Sequence, residues 1–184
     1  MRNSFRIVFL LLALSAANTA LAQQTVLYQV PGWDKISLRD DNKGIANSFR
    51  WGVGATGSPA MGPGGPGPVK VTVQDASLSI PVGDAALLFA QTALRGQRLQ
   101  WILVEFSLTK GDSKGPAPFA FRLSDVLVTS VLFSKSGQDG GPGVAEVTLN
   151  AQKVELFSGT QDPRSGKVNP GAKAGFDAKA GKAF

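Results

Sequence analysis

Among its 184 residues the chain has no cysteine and no histidine. Without cysteine there is no disulfide, no thiolate nucleophile and no thiol to carry a lipid at an export cleavage site. Without histidine the commonest general base and metal ligand near neutral pH is missing. Together the two absences exclude most hydrolase triads and the usual zinc sites. Long apolar runs are scarce too: the clearest, Ile7 to Leu14, falls well short of the roughly 20 residues that a membrane-crossing helix needs. No stable membrane insertion is expected from it.

What the N-terminus does contain is an ordered series. Arg2 and Arg6 precede the apolar run, and small residues follow it, ending in Ala20-Leu21-Ala22. A charged start, a short apolar centre and an A-x-A end make a cleavable signal peptide of residues 1–22, with Ala20 and Ala22 at the cleavage positions. The product would be periplasmic or secreted, and residues 23–184 would form a single domain large enough for a core of its own. The formal charge of +6 loses two units with Arg2 and Arg6, which leaves mild basicity. Aromatic residues lie within apolar alternation rather than among clustered lysines and arginines, so no stacking platform for nucleic acid is expected.

The remaining pattern is that of strands. Thr25 to Val30 reads as a first strand closed by Pro31-Gly32, and Ile45 to Val53 as a second, with Ile45, Phe49, Trp51 and Val53 on one parity. Residues 54–68, GATGSPAMGPGGPGP, hold six glycines and four prolines, which predicts a long exposed loop. Val69, Val71 and Val73 then alternate in one phase and Ala76, Leu78 and Ile80 in another. Asp84 is placed to cap AALLFAQTALR, whose Leu87, Leu88 and Leu94 recur at helical spacing, and Gly96 stands at the position of a left-handed C-terminal cap. Further strands are expected from Trp101 to Leu108, from Phe119 to Phe133 and from Val144 to Phe157. Parity changes between Ala151 and Val154, as a bulge or a change of face requires. From Ser158 onward the Gly, Lys and Ala content suggests order only against a partner. Six to eight strands and one helix without β-α alternation predict a mainly β fold, a largely antiparallel barrel or pair of sheets.

Candidate chemistry fails in each place where the residues invite it. Gly52 to Gly57 matches G-x-G-x-x-G, but the prolines that follow forbid the helix such a phosphate site requires. Asp40-Asp41-Asn42-Lys43-Gly44 lacks the later ligands of an EF-hand, and Asp139 offers one carboxylate among glycines. Ser134-Lys135-Ser136 sits in a turn, where neighbouring side chains diverge. Glu105, Glu146 and Glu155 fall at outward parity and form no evident acid and base pair. No catalytic residue, cofactor site or metal site is predicted, and the expectation is a binding or assembly protein, not an enzyme.

Several blocks in order carry a resemblance: Asn47 to Val53, the long loop, the helix before Trp101 to Leu108, then Phe121 to Ser130, Ser136 to Pro142, Glu146 to Glu155, Gln161-Asp162 and Gly175-Phe176-Asp177. Over about residues 25–180 the chain resembles the Hcp family, the haemolysin-coregulated tube proteins of bacterial type VI secretion systems. The resemblance implies a β-barrel of two mostly antiparallel sheets with one flanking short helix. It also implies self-association into hexameric rings that stack into a tube, and secreted effector proteins as partners. The family's loop after the W-G strand takes part in ring-to-ring contact, which makes Gly54, Pro59, Met61, Pro63, Pro66 and Pro68 the matching stacking element. The export signal departs from the family's habit of cytoplasmic assembly, so a secreted binding module or effector that uses the fold outside a type VI system stands as the alternative.

Overall fold

The computed structural model describes residues 25–33, 43–56, 70–107, 117–135, 143–161 and 168–184. Among them are eleven strands and one helix. Their bounds are β1 Thr25–Gln29, β2 Gly44–Ala46, β3 Ser48–Arg50, β4 Val53–Thr56, β5 Lys70–Val73, β6 Ala76–Pro81, α1 Asp84–Leu94, β7 Arg98–Ser107, β8 Phe119–Ser134, β9 Val144–Gln161, β10 Val168–Asp177 and β11 Lys182–Ala183. All pairings are antiparallel. Nine strands make one sheet, in the order β11-β10-β9-β8-β7-β1-β2, with β6 on the first half of β9 and β3 on β6. The ribbon of β4 and β5 is a second sheet by itself.

The architecture agrees with the mainly β expectation, and its differences have local causes. The expected single strand from Ile45 to Val53 is three strands. It breaks at Asn47, whose N–H leaves the β2 ladder and donates to Ser79 O at 2.8 Å. β2 therefore pairs with β1, while β3 pairs with β6. The curled sheet returns on itself through the chain at Asn47 and not through an unbroken ladder, so the expected barrel has a seam. Strand count exceeds expectation for the same reason, and because the C-terminal stretch is ordered on the protein itself. β9 runs on to Gln161, and β10 pairs with it across a bulge between Pro170 and Lys173.

Helix α1 forms from a run of strong helix formers, DAALLFAQTAL. Asp84 is its first residue and not its cap. Gly83 occupies the cap position, with no side-chain hydrogen bond, and Asp84 instead places a carboxylate in the positive first turn. The inward stripe is Ala86, Phe89 and Thr92, whereas Leu87 and Leu94 are exposed. At the other end Gly96, at φ +60°, donates to Ala93 O at 3.0 Å and Gln97 N–H donates to Thr92 O at 3.1 Å. That pair of bonds is a Schellman motif, which satisfies carbonyls the helix would leave open.

Phe89 anchors the helix to the sheet. It is fully buried, edge-on to Trp33 at 4.7 Å and tilted against Tyr28 at 6.1 Å. Leu78, Ile80, Ile102, Val104, Leu123, Val126, Val147 and Leu149 complete the fully buried centre. Burial raises the Tyr28 hydroxyl to about 12.

Face alternation reverses along one line across the sheet. Inward residues are Leu99 and then Ile102 on β7, Leu123 and then Val126 on β8, and Leu149 and then Val154 on β9. The ladders on either side keep one register, from Leu99↔Val126 to Trp101↔Ser124 and from Lys153↔Ser124 to Ala151↔Val126. Three strands thus turn over together at Gln100, Asp125 and Gln152, with Asp125 at φ 51°. The parity change expected near residue 152 is this change of face. The one bulge between β8 and β9 lies elsewhere, at Thr129.

Candidate assembly surface

Among the described residues, two surfaces built by strand pairing carry exposed apolar groups. The first is the β4-β5 ribbon. Its register, Val53↔Val73 and Ala55↔Val71, puts four apolar side chains on one face, because residues two apart share a side. Val53 is 58% exposed and Val71 45%. A two-stranded hairpin is marginal by itself in water. Here its base is tied by the Gln74 N–H, which donates to Gly52 O at 3.0 Å. Trp51, beside that base, meets Phe121 edge-on at 5.7 Å. The rings continue through Phe49, Phe106 and Phe119, each centred within 5.0 to 6.1 Å of another. The ribbon stands beside this aromatic cluster with Val53 and Val71 exposed.

The second surface is the side of the large sheet away from the core. Aligned ladders set Ile45, Leu27, Glu105, Ala120, Phe157 and Lys173 in one row across β2, β1, β7, β8, β9 and β10. Leu27, Glu105 and Ala120 are buried, while Ile45 is 45% exposed. In the neighbouring row Glu155 is buried between two lysines, with Lys173 Nζ at 2.9 Å and Lys153 Nζ at 3.2 Å. The hydrogen bond from Lys173 is the main cause that holds the Glu155 carboxyl below the usual glutamate range, against the opposing effect of burial. Cations lie over the aromatic rings of this face: Arg122 over Trp101 at 5.6 Å, Lys173 over Phe157 at 5.3 Å and Lys153 over Phe184 at 4.7 Å. A sheet with apolar groups on both faces is ordinarily covered on both.

Outward parity therefore did not mean solvent for Glu105 and Glu155. Both are buried, and Lys43 pairs with Glu105 as Lys153 and Lys173 do with Glu155. Each carboxylate is paired with ammonium groups, one at Glu105 and two at Glu155. Glu146 lies between Ser79 and Leu132 in the ladder rows, away from both. Ser134 ends β8, where its hydroxyl donates to Val144 O at 3.4 Å. Among the described residues no group of His, Cys, Asp and Glu could hold a metal ion.

Of the expected stacking residues, Gly54 lies within β4, so Gly54 to Thr56 belong to the ribbon and not to a loop. Pro59, Met61, Pro63, Pro66 and Pro68 fall outside the described residues, as do Ala20 and Ala22 of the export signal. The valine face of the ribbon escaped sequence reasoning because Val53 and Val71 were assigned to separate elements; their pairing is the missing fact. No helix among the described residues is long and apolar enough to cross a membrane.

Solved structures share this arrangement. One, a type six secretion system protein, superimposes with a TM-score of 0.76 at 18% identity, over 87% of this chain and 99% of that one. Hcp1 from Salmonella typhimurium gives 0.66 at 20% identity, over 88% and 99%. A type VI secretion system effector from Yersinia pestis gives 0.62 at 17%, over 83% and 98%. No family model and no curated protein matches the sequence. At these identities the fold is what is shared: this chain has the Hcp fold.

Proposed function

We propose that the chain is an Hcp-like structural protein, a member of that family, which is exported, assembles into six-membered rings and acts on protein partners without catalysis. The observation that carries this reading is the β4-β5 ribbon. It is a separate two-stranded sheet with Val53, Ala55, Val71 and Val73 on one face, at the place where the Hcp resemblance puts the element of ring-to-ring contact. Val53 and Val71 are already about half covered, so burying the rest against a second copy would return about 1 kcal/mol for each. That supplies the support an isolated hairpin lacks. The amphipathic outer face of the large sheet, with its alternating ammonium and carboxylate groups, suits lateral contact between neighbours in one ring. Complementary charge there would fix register more than it adds affinity.

Export follows from the Arg2 to Ala22 segment and gives a periplasmic or secreted product, with residues 23–184 as one domain. The ring would then work outside the compartment of sheath assembly, as a carrier or receptor for secreted proteins. The alternative use of the fold, a secreted binding module outside a type VI system, differs in having no stacking step. Negative-stain electron microscopy of the purified chain and of a Val53→Asp, Val71→Asp double variant separates the two. Stacked rings that fall apart into single rings in the variant support the proposal. Particles that never stack, with or without the substitutions, favour the binding module.

A further inference from the structure

Strands β8 to β11 bring together aromatic and cationic residues that the sequence keeps apart. Arg122 lies opposite Glu155, and Glu155 opposite Gly175. Lys153 lies opposite Asp177, Asp177 opposite Lys182, and Phe157 opposite Lys173. Residues directly opposite in a ladder, and residues two apart in a strand, share a face. Arg122, Lys153, Lys173 and Lys182 therefore stand on one side of the sheet, one cation to each of four consecutive strands.

These charges do not cancel. Glu155 takes both Lys153 and Lys173, at 3.2 and 2.9 Å. The Asp177 carboxylate accepts from the backbone N–H groups of Lys179 and Ala180, each at 2.9 Å. Arg122 and Lys182 make no ion pair among the described residues. Four cations thus meet two carboxylates, and the flanking pairs, Lys43 with Glu105 and Arg98 with Asp125, add no net charge. Glu155 is only 8% exposed, whereas the Lys173 side chain keeps 52% of its surface and that of Lys153 38%. The anion is sunk beneath the ammonium groups, and the charge that faces solvent is positive.

Aromatic rings hold three of the cations in place. Arg122 lies over Trp101 at 5.6 Å, Lys153 over Phe184 at 4.7 Å, and Lys173 between Phe157 and Phe184 at 5.3 and 5.8 Å. A long side chain pinned on a ring has less freedom to lose when it meets an anion. The same contacts decide the class of partner. Single-stranded nucleic acid gains affinity by stacking bases on open aromatic faces, and here a cation of the protein already lies over each of these rings. The surface offers fixed positive charge without a stacking platform.

We infer that this half of the outer face docks an acidic polypeptide, whose Asp and Glu side chains pair with Arg122, Lys153, Lys173 and Lys182. Carboxylates answer ammonium and guanidinium groups with charge-assisted hydrogen bonds, which supply both strength and direction. The other half of the face, around Ile45 and Leu27, is left for contact between ring neighbours. Every residue used belongs to one protomer, so a chain that forms no rings keeps this surface.

The test is binding of the full chain to poly-L-glutamate, to single-stranded poly-dT and to phosphatidylglycerol vesicles at one salt concentration. Two double variants with the same change of charge are compared. Arg122→Glu, Lys182→Glu alters the face; Arg95→Glu, Lys135→Glu alters the end of α1 and the residue after β8. Expected is tighter binding to poly-L-glutamate than to the other two probes, weakened about tenfold or more by the first pair and unchanged by the second. A readout independent of the charge variants is the indole N–H signal of Trp101 in the 15N-labelled chain, assigned from its loss in Trp101→Phe. It should shift with poly-L-glutamate while that of Trp33, packed on Phe89, stays still. Tighter binding to poly-dT or to vesicles, an equal loss in both double variants, no binding, or a Trp101 signal that does not move overturns the inference.

Discussion

The Arg98 guanidinium grips Asp125 twice, at the carbonyl oxygen at 2.9 Å and at the carboxylate at 3.3 Å. Asp125 is the residue of β8 at φ 51°, in the middle of the line where three strands turn over together. Aspartate tolerates this left-handed conformation better than most residues, and a β-branched residue does so worst. Asp125→Val should therefore cost about 2 kcal/mol of unfolding free energy, from backbone strain and the lost contact together. Asp125→Asn should stay within about 1 kcal/mol, because the exposed ion pair adds little. Urea denaturation of the two variants gives the comparison.

Glu155 should make stability depend on pH in acid. Its folded pKa is lowered by Lys173 and Lys153, so its contribution is fully present above the ordinary value of 4.5 and is lost as pH falls through the lower folded value. Glu155→Gln should melt below the parent at pH 7, with Lys153 and Lys173 left uncompensated. The gap should narrow as pH falls below 4.5. A gap that is constant with pH would mean the carboxylate has no ionic role.

Gly175 is needed for close approach. It exchanges N–H···O bonds with Phe184 at 2.9 and 3.0 Å, and a Cβ there would lie 2.9 Å from Val154 O and 2.3 Å from Phe184 Cζ. Gly175→Val should release β11 and Phe184 from β10 while the other eight strands of the large sheet stay paired. Hydrogen exchange should show the Phe184 amide lose its protection while those of Val147 and Leu149 keep theirs.

Phe89→Ala removes the anchor between α1 and the sheet. A fully buried phenylalanine with two aromatic neighbours should cost about 3–5 kcal/mol when truncated. Leu94→Ala, at a position 88% exposed, should change stability by less than about 0.5 kcal/mol. Thermal unfolding of the pair shows which face of the helix is inward.

Much of this fold was legible where the chemistry is local. Gly96 ends the helix as its lack of a side chain allows, and the change of phase between Val73 and Ala76 marks the passage from one sheet to the other. The division at Asn47 was not legible, because nothing in Ile45 to Val53 tells which neighbour each half pairs with. The turn-over at Gln100, Asp125 and Gln152 needs three strands in register before it exists at all. Small residues hid the C-terminal hairpin: Gly175 and Ala174 look like loop residues, yet they let Phe184 and β9 come close. The exposed valine face of the ribbon was legible only through the pairing of β4 with β5.

Native mass spectrometry of the purified chain reads ring assembly without any label or partner. A dominant species of six protomers is expected, with further mass in multiples of six that is lost in the Val53→Asp, Val71→Asp double variant. A chain that remains a monomer at high protein concentration would contradict it.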